Sequence, residues 1–194
     1  MVSDKYAVGE YERRFLLGQI PPGATNPRPI VDHYVDGTRL RLRAVTDPAA
    51  GRVQRKLGHK HRLMVDDPTA IMHTTMYLDD NEFAVLSSLP GRRLVKTRWA
   101  VGLDGNQQGS VNVFGEDLLG LIILEVDVGR PDRLETFQPP PWVGPEVSHF
   151  EAFTGGDLAG RTLDQLISSD RLPPDVVAQL LATATTSTSN EASP

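Results

Sequence analysis

"GEYERRFLL", residues 9–17, places Glu10, Glu12 and Arg14 at every second position of a strand-like segment. Side chains alternate faces along a strand, so these three share one face and Tyr11, Arg13 and Phe15 share the other. Two carboxylates on one face repel each other unless water screens them or a cation joins them. The stretch is therefore either an open surface strand or one wall of a charged interior.

The rest of the chain repeats the pattern. In "TRLRLRA" Arg39, Arg41 and Arg43 share a face, with Leu40 and Leu42 opposite. In "GRRLVKTRW" Arg92, Lys96 and Arg98 share a face, against Arg93, Val95, Thr97 and Trp99. Lys56 and Lys60 have equal parity in "RKLGHK", and so do Glu125 and Asp127 in "ILEVDVG". Strands of this kind pack their apolar face on an outer layer and line something with their charged face. If the charged faces converge, they enclose carboxylates on one side and many cations on the other. Carboxylates hold a divalent ion through oxygen, and Arg and Lys clamp phosphate oxygens.

Further strands are expected at residues 30–45, a hairpin turning at Asp36-Gly37, and at 52–60 and 70–78. Two more flank a turn at Asp104-Gly105, and the most apolar lies within 119–129. Residues 79–91 read as a helix, and helical patterns return in "RTLDQLISS" and "PDVVAQLLATA". Residues 21–29, "PPGATNPRP", read as a loop. The chain is accordingly α+β and mainly antiparallel β, with residues 1–182 as one domain and a small, polar, disordered tail at 183–194.

The net charge of −5 hides an asymmetry: residues 1–100 carry 16 Lys+Arg against 11 Asp+Glu, and residues 101–194 carry 4 against 14. An acidic protein whose cations concentrate in one half gathers them around an anion or displays a basic surface. The overall acidity argues against a nucleic-acid partner. There is no cysteine, which excludes disulfides and thiolate metal sites and favours a hard ion, Mg²⁺ or Mn²⁺. With no bilayer-spanning run and no signal-peptide pattern, the expected location is cytoplasmic, off the membrane, as a monomer or homodimer.

Taken in order, "EYERRFLL", "RLRLR", "KLGHK", "GRRLVKTRW", the late acidic strand and "PPPWVGPEVS" resemble the CYTH superfamily, the triphosphate tunnel metalloenzymes, whose signature is Glu-x-Glu-x-Lys. The resemblance covers residues 8–159 and implies a closed tunnel of eight antiparallel strands with flanking helices. It places the metal-binding carboxylates at Glu10, Glu12, Glu125 and Asp127. The phosphate-binding cations fall at Arg41, Arg43, Lys60, Arg92 or Arg93, Lys96 and Arg98, with Arg39 and Lys56 at matching parity. Glu10, Glu12, Arg14 and Lys60 are the implied catalytic set. The activity implied is metal-dependent hydrolysis of a small-molecule triphosphate, most simply inorganic tripolyphosphate. Cyclic AMP formation from ATP and a non-catalytic polyphosphate or nucleotide sensor are the alternatives.

Three departures bear on that choice. Arg14 stands in place of the signature lysine and, as an arginine, keeps its proton. Asn112 stands where relatives often carry aspartate. "EAFTG" (151–155) replaces the common Lys-Arg-Tyr-x-Asn. The five histidines are expected at the surface or in structural roles, with His59 and His61 facing away from the cavity and His33, His73 and His149 lacking ligand-like spacing. Trp99 and Trp142 are expected in the outer layer, and "FTGGDLAGRT" marks a turn and helix start, not a phosphate loop.

Overall fold

The computed structural model describes residues 6–64, 67–169 and 171–190. Eight strands are formed: β1 (Val8–Leu16), β2 (Thr25–Val35), β3 (Leu40–Asp47), β4 (Arg52–Arg62), β5 (Ala70–Leu78), β6 (Gly91–Gly102), β7 (Gln108–Phe114) and β8 (Ile122–Asp127). They close into a barrel in the order β1-β5-β4-β3-β2-β6-β7-β8, with every neighbouring pair antiparallel. Closure depends on β1, which changes partner midway: residues 8–11 pair with β5 and residues 12–16 with β8.

Alternation then sorts the side chains. The outward residues Phe15, Val111, Leu124 and Val126 form an apolar layer with Trp99, and Leu134, Phe137 and Val143 cover it. Leu134 belongs to α2 (Asp132–Thr136), a short helix that the sequence reading left out. Arg13 pins this cover, donating to both oxygens of Glu146 at 2.8 and 2.5 Å and to the Phe137 carbonyl at 2.7 Å. On the opposite side α1 (Asp80–Ser87) lies over β3, β4 and β5, its N-terminus held by an Asp79/Glu82 capping box.

One end of the barrel is plugged. Leu16, Leu94, Phe114 and Ile123 have the inward parity of Arg14, Lys96, Asn112 and Glu125, yet they are packed into a buried cluster with the C-terminal segment. That segment contributes Phe153 from the turn at 151–153, Leu158 from α3 (Gly155–Leu158), Leu163 and Leu166 from α4 (Leu163–Ile167), and Val176 and Leu180 from α5 (Pro174–Asn190). The inner wall is thus charged in the middle of the barrel and apolar at this end, where burial against helices replaces water.

Two expectations need correction. β2 begins at Thr25, inside the stretch read as a loop, because a register shift between Thr25 and Arg28 accommodates Asn26 (φ 56°) and lets the proline-bearing chain join β6. α5 continues through residues 183–190, where disorder was expected. Thr183 is buried and donates to the Leu180 carbonyl at 3.0 Å, and Thr185 donates to that of Leu181 at 2.9 Å, so polar residues serve the helix instead of ending it. Residues 191–194 of that expected tail lie outside the described residues.

Phe153 is the largest plug residue contributed by the C-terminal segment. Phe153→Ala is expected to lower the unfolding free energy by about 3–5 kcal/mol in urea titrations.

Candidate active site

The inward charged faces meet in one cavity of about 490 Å³. Glu10, Glu12, Arg14, Arg39, Arg41, Arg43, Lys60, Arg92, Lys96, Arg98 and Glu125 all line it, so eleven of the residues singled out from sequence parity come together. Asp127 and Lys56 do not line it. Asp127 Oδ1 accepts from the backbone N–H groups of Tyr11 and Gly129 at 3.3 and 2.8 Å, fastening the end of β8. The Lys56 ammonium lies 5.3 Å from the Tyr77 ring centroid, at the β5 side of the barrel.

Each inward carboxylate is matched to a cation. Lys60 Nζ donates to Glu10 Oε2 at 2.6 Å, Arg14 Nη2 to Glu12 Oε2 at 2.6 Å, and Arg98 Nη2 to Glu125 Oε2 at 2.8 Å. Asn112 accepts from Arg98 Nε at 3.0 Å, so at this position an amide steers the guanidinium without adding charge. Burial opposes ionisation of Glu10, but the His73 hydrogen bond and the Lys60 ammonium outweigh it and bring the carboxyl down to about 2. Glu125 behaves alike: burial opposes its charge, and Lys96, Arg98, Arg14 and Lys60 hold it well below the usual carboxylate range.

The cations remain in excess. Nine Arg and Lys side chains line the cavity against five carboxylates, the latter including Glu151 and Asp157. Two further signs indicate that the charge is built for an anion. Arg41 is only 9% exposed, yet its Nε has no hydrogen-bond partner among the described residues. Lys96, 5% exposed, has its ammonium pushed down to about 7: burial dominates, Glu125 and Asp32 favour the charge, and Arg98 and Arg43 oppose it.

Sequence reasoning missed several members of the site. His73, expected at the surface or in a structural role, lines the cavity, with Nδ1 2.7 Å from Glu10 Oε1. Parity within β5 put His73 inward, but only the barrel register brings it to Glu10. His61, expected to face away, also borders the cavity. Tyr34 lines it from β2. The "EAFTG" segment covers one side: Glu151 pairs with Arg62 at 2.5 Å, and Arg92 donates to the Gly156 carbonyl at 2.9 Å. A Cβ on Gly155 would overlap the Tyr34 hydroxyl oxygen, so glycine lets this cover approach.

Metal chemistry has to be judged against these pairings. Among the described residues no three His, Asp or Glu side chains are gathered into a cage for an ion. Mg²⁺ does not require one, since it is commonly held by one or two carboxylates together with substrate phosphates and water. The oxygen donors of Glu10, Glu12 and Glu125 fit that mode.

No family model matches the chain. An inorganic triphosphatase of Nitrosomonas europaea is 28% identical over 155 residues, which cover 77% of this chain and 96% of that protein. The crystal structure of the inorganic triphosphatase NE1496 superposes with a TM-score of 0.54 at 26% identity, over 82% of this chain and 95% of that one. A second NE1496 crystal structure, described as a hypothetical protein, gives 0.56 at 26% identity over 79% and 99%. With the closed eight-stranded barrel, these likenesses bear out the resemblance to the CYTH superfamily.

The depressed Lys96 gives stability a pH dependence of definite sign. At pH 7 and below, burial of the ammonium weighs fully on the folded state. Between about 7 and 10.5 the folded protein holds the amine neutral while the unfolded chain still binds the proton, so stability rises with pH. Relative to Lys96→Met, wild type is expected to gain roughly 2 kcal/mol of unfolding free energy between about pH 7 and 9, measured by urea titration at each pH.

Proposed function

We propose that this chain is a triphosphatase that cleaves inorganic tripolyphosphate to pyrophosphate and phosphate, with Mg²⁺ or Mn²⁺ bound alongside the substrate. The observation that carries the reading is the wall of nine cations around one cavity, against five carboxylates. Such an excess of like charge is costly to enclose unless an anion completes it. The triphosphatase names of the relatives support the same reaction class.

The roles follow from the geometry. Arg41, Arg43, Lys96 and Arg98 grip the phosphate oxygens deep in the cavity, and Arg14 and Lys60 do so nearer the Glu10–Glu12 strand. As the polyanion enters, it competes for Lys60, Arg14 and Arg98 and loosens their hold on Glu10, Glu12 and Glu125. Glu10, Glu12 and Glu125 would hold a divalent ion, which would supply charge neutralisation and Lewis acidity when bound. Water attacks the terminal phosphorus in line, and the bond to the bridging oxygen breaks as pyrophosphate leaves. A loose phosphoryl transition state demands positioned charge more than a strong base. The weak basicity of Glu10 and the permanent charge of Arg14 are therefore compatible with turnover.

The lining favours an inorganic chain over a nucleotide. Pro68, Ile71 and the Tyr34 ring carry its apolar surface, which is little for seating a base. The reading of a sensor without turnover draws on Asn112 in place of a further carboxylate and on Glu151 among the lining groups.

Phosphate release from tripolyphosphate, ATP and pyrophosphate, with Mg²⁺ or Mn²⁺, separates these readings. Metal-dependent, equimolar phosphate and pyrophosphate from tripolyphosphate is expected, falling by about a hundredfold or more in Glu10→Gln/Glu12→Gln. Cyclic AMP from ATP points instead to cyclisation, and tight binding with no product to a sensor.

A further inference from the structure

Asp32 has no place in the reaction just described, yet it is one of the most enclosed charges in the molecule. It sits in the middle of β2, directly opposite Arg43 of β3 and Leu94 of β6, and its exposure is 0%. Its two oxygens take one edge of a single guanidinium: Arg43 Nε donates to Oδ1 at 2.6 Å and Arg43 Nη2 to Oδ2 at 2.7 Å. Arg41 Nε lies 3.8 Å from the same Oδ1, too far for a hydrogen bond but well within reach of its charge. Arg41 and Arg43 both line the cavity, while Asp32 lies behind them.

Two consequences follow from this placement. A guanidinium held along its Nε–Nη2 edge retains three N–H donors, fixed in direction, for a ligand on the other side. A carboxylate behind the phosphate-facing wall also repels any polyanion that enters. The first effect sharpens geometry and the second weakens the grip.

We propose that Asp32 is a positioning residue that locks Arg43, and steadies Arg41, for the phosphoryl group being transferred, while lowering ground-state affinity for the triphosphate. The inference rests on the hydrolase reading above. A residue that only holds the fold together would cost activity without tightening binding.

Steady-state kinetics with tripolyphosphate and Mg²⁺, with calorimetric binding of tripolyphosphate in EDTA, test it on two variants. Asp32→Asn keeps the shape and removes the charge; kcat is expected to fall about tenfold or more, because the guanidinium is no longer held. The same variant is expected to bind tripolyphosphate about tenfold more tightly, because a buried negative charge is gone. Asp32→Glu keeps the charge and displaces the carboxylate, and it should lose kcat without tightening. Asp32→Asn with kcat within about twofold of wild type, or with binding no tighter than wild type, overturns the proposal. If Asp32→Asn fails to fold, Asp32→Ser is measured in its place: a fallen kcat with tighter binding supports the proposal, and an undiminished kcat or binding no tighter than wild type overturns it. Wild-type protein that cleaves nothing overturns the hydrolase reading and this role together. Wild-type protein that cleaves, with Asp32→Asn at full rate, overturns this role alone.

Discussion

Like charges crowded inside a closed barrel are the constraint to which the rest of the molecule answers. Nine cationic side chains face one cavity, and several are nearly withdrawn from water. Unpaired, such charges would oppose folding by several kcal/mol each. They are accommodated because the strands alternate them with carboxylates at matching height: Glu10 with Lys60, Glu12 with Arg14, Glu125 with Arg98, and Asp32 with Arg43. The pairing is deliberately incomplete. The surplus positive charge is the unbalanced remainder that a polyanion would complete.

A barrel with a charged interior cannot be held together from within. The apolar surface is displaced outward, to the layer around Phe15, Val111 and Leu124, and endward, to the plug around Phe153 and Leu166. The division explains why the same strands carry two codes. Odd positions of β1 serve the outer cover, and even positions serve first the cavity, at Glu10, Glu12 and Arg14, then the plug, at Leu16. The walls of the site are backed on one side by packed hydrocarbon.

Much of this was legible in the sequence because period-two alternation is a local property. Arg39, Arg41 and Arg43 declare a shared face without any knowledge of the partner strand. A two-residue turn at Asp36-Gly37 would set Asp32 opposite Arg41, whereas the connection spans residues 36–39 and sets it opposite Arg43. One aspartate in "IVDHYV" also carries no pattern of its own. His73 is a different case. Its link to Glu10 arises from the closure of the barrel through β1 and β5, which no local spacing encodes. Asp127 shows the limit of parity, because it shares a face with Glu125 but lies at the strand end and binds backbone instead of the cavity. α2 and the continuation of α5 escaped because their support is tertiary: a cover over Phe15, and buried helix contacts at Leu180 and Thr183.

The change of partner along β1 has a bearing on how the protein is made. Of the eight strands of the barrel, β1 is made before the others and is satisfied last, since its second half waits for β8, more than a hundred residues later in the chain. Contacts so distant in sequence slow folding and leave strand edges open meanwhile. Glu10 meets its ladder partner in β5 early in synthesis, whereas Glu12 and Arg14 meet theirs only once residues 122–127 have emerged. The cavity is thus assembled at a single late moment, when closure of the seam gives the nascent chain its enclosed interior. A chain truncated before β8 would carry all nine of the cavity's cations and none of the enclosure that gives them a use.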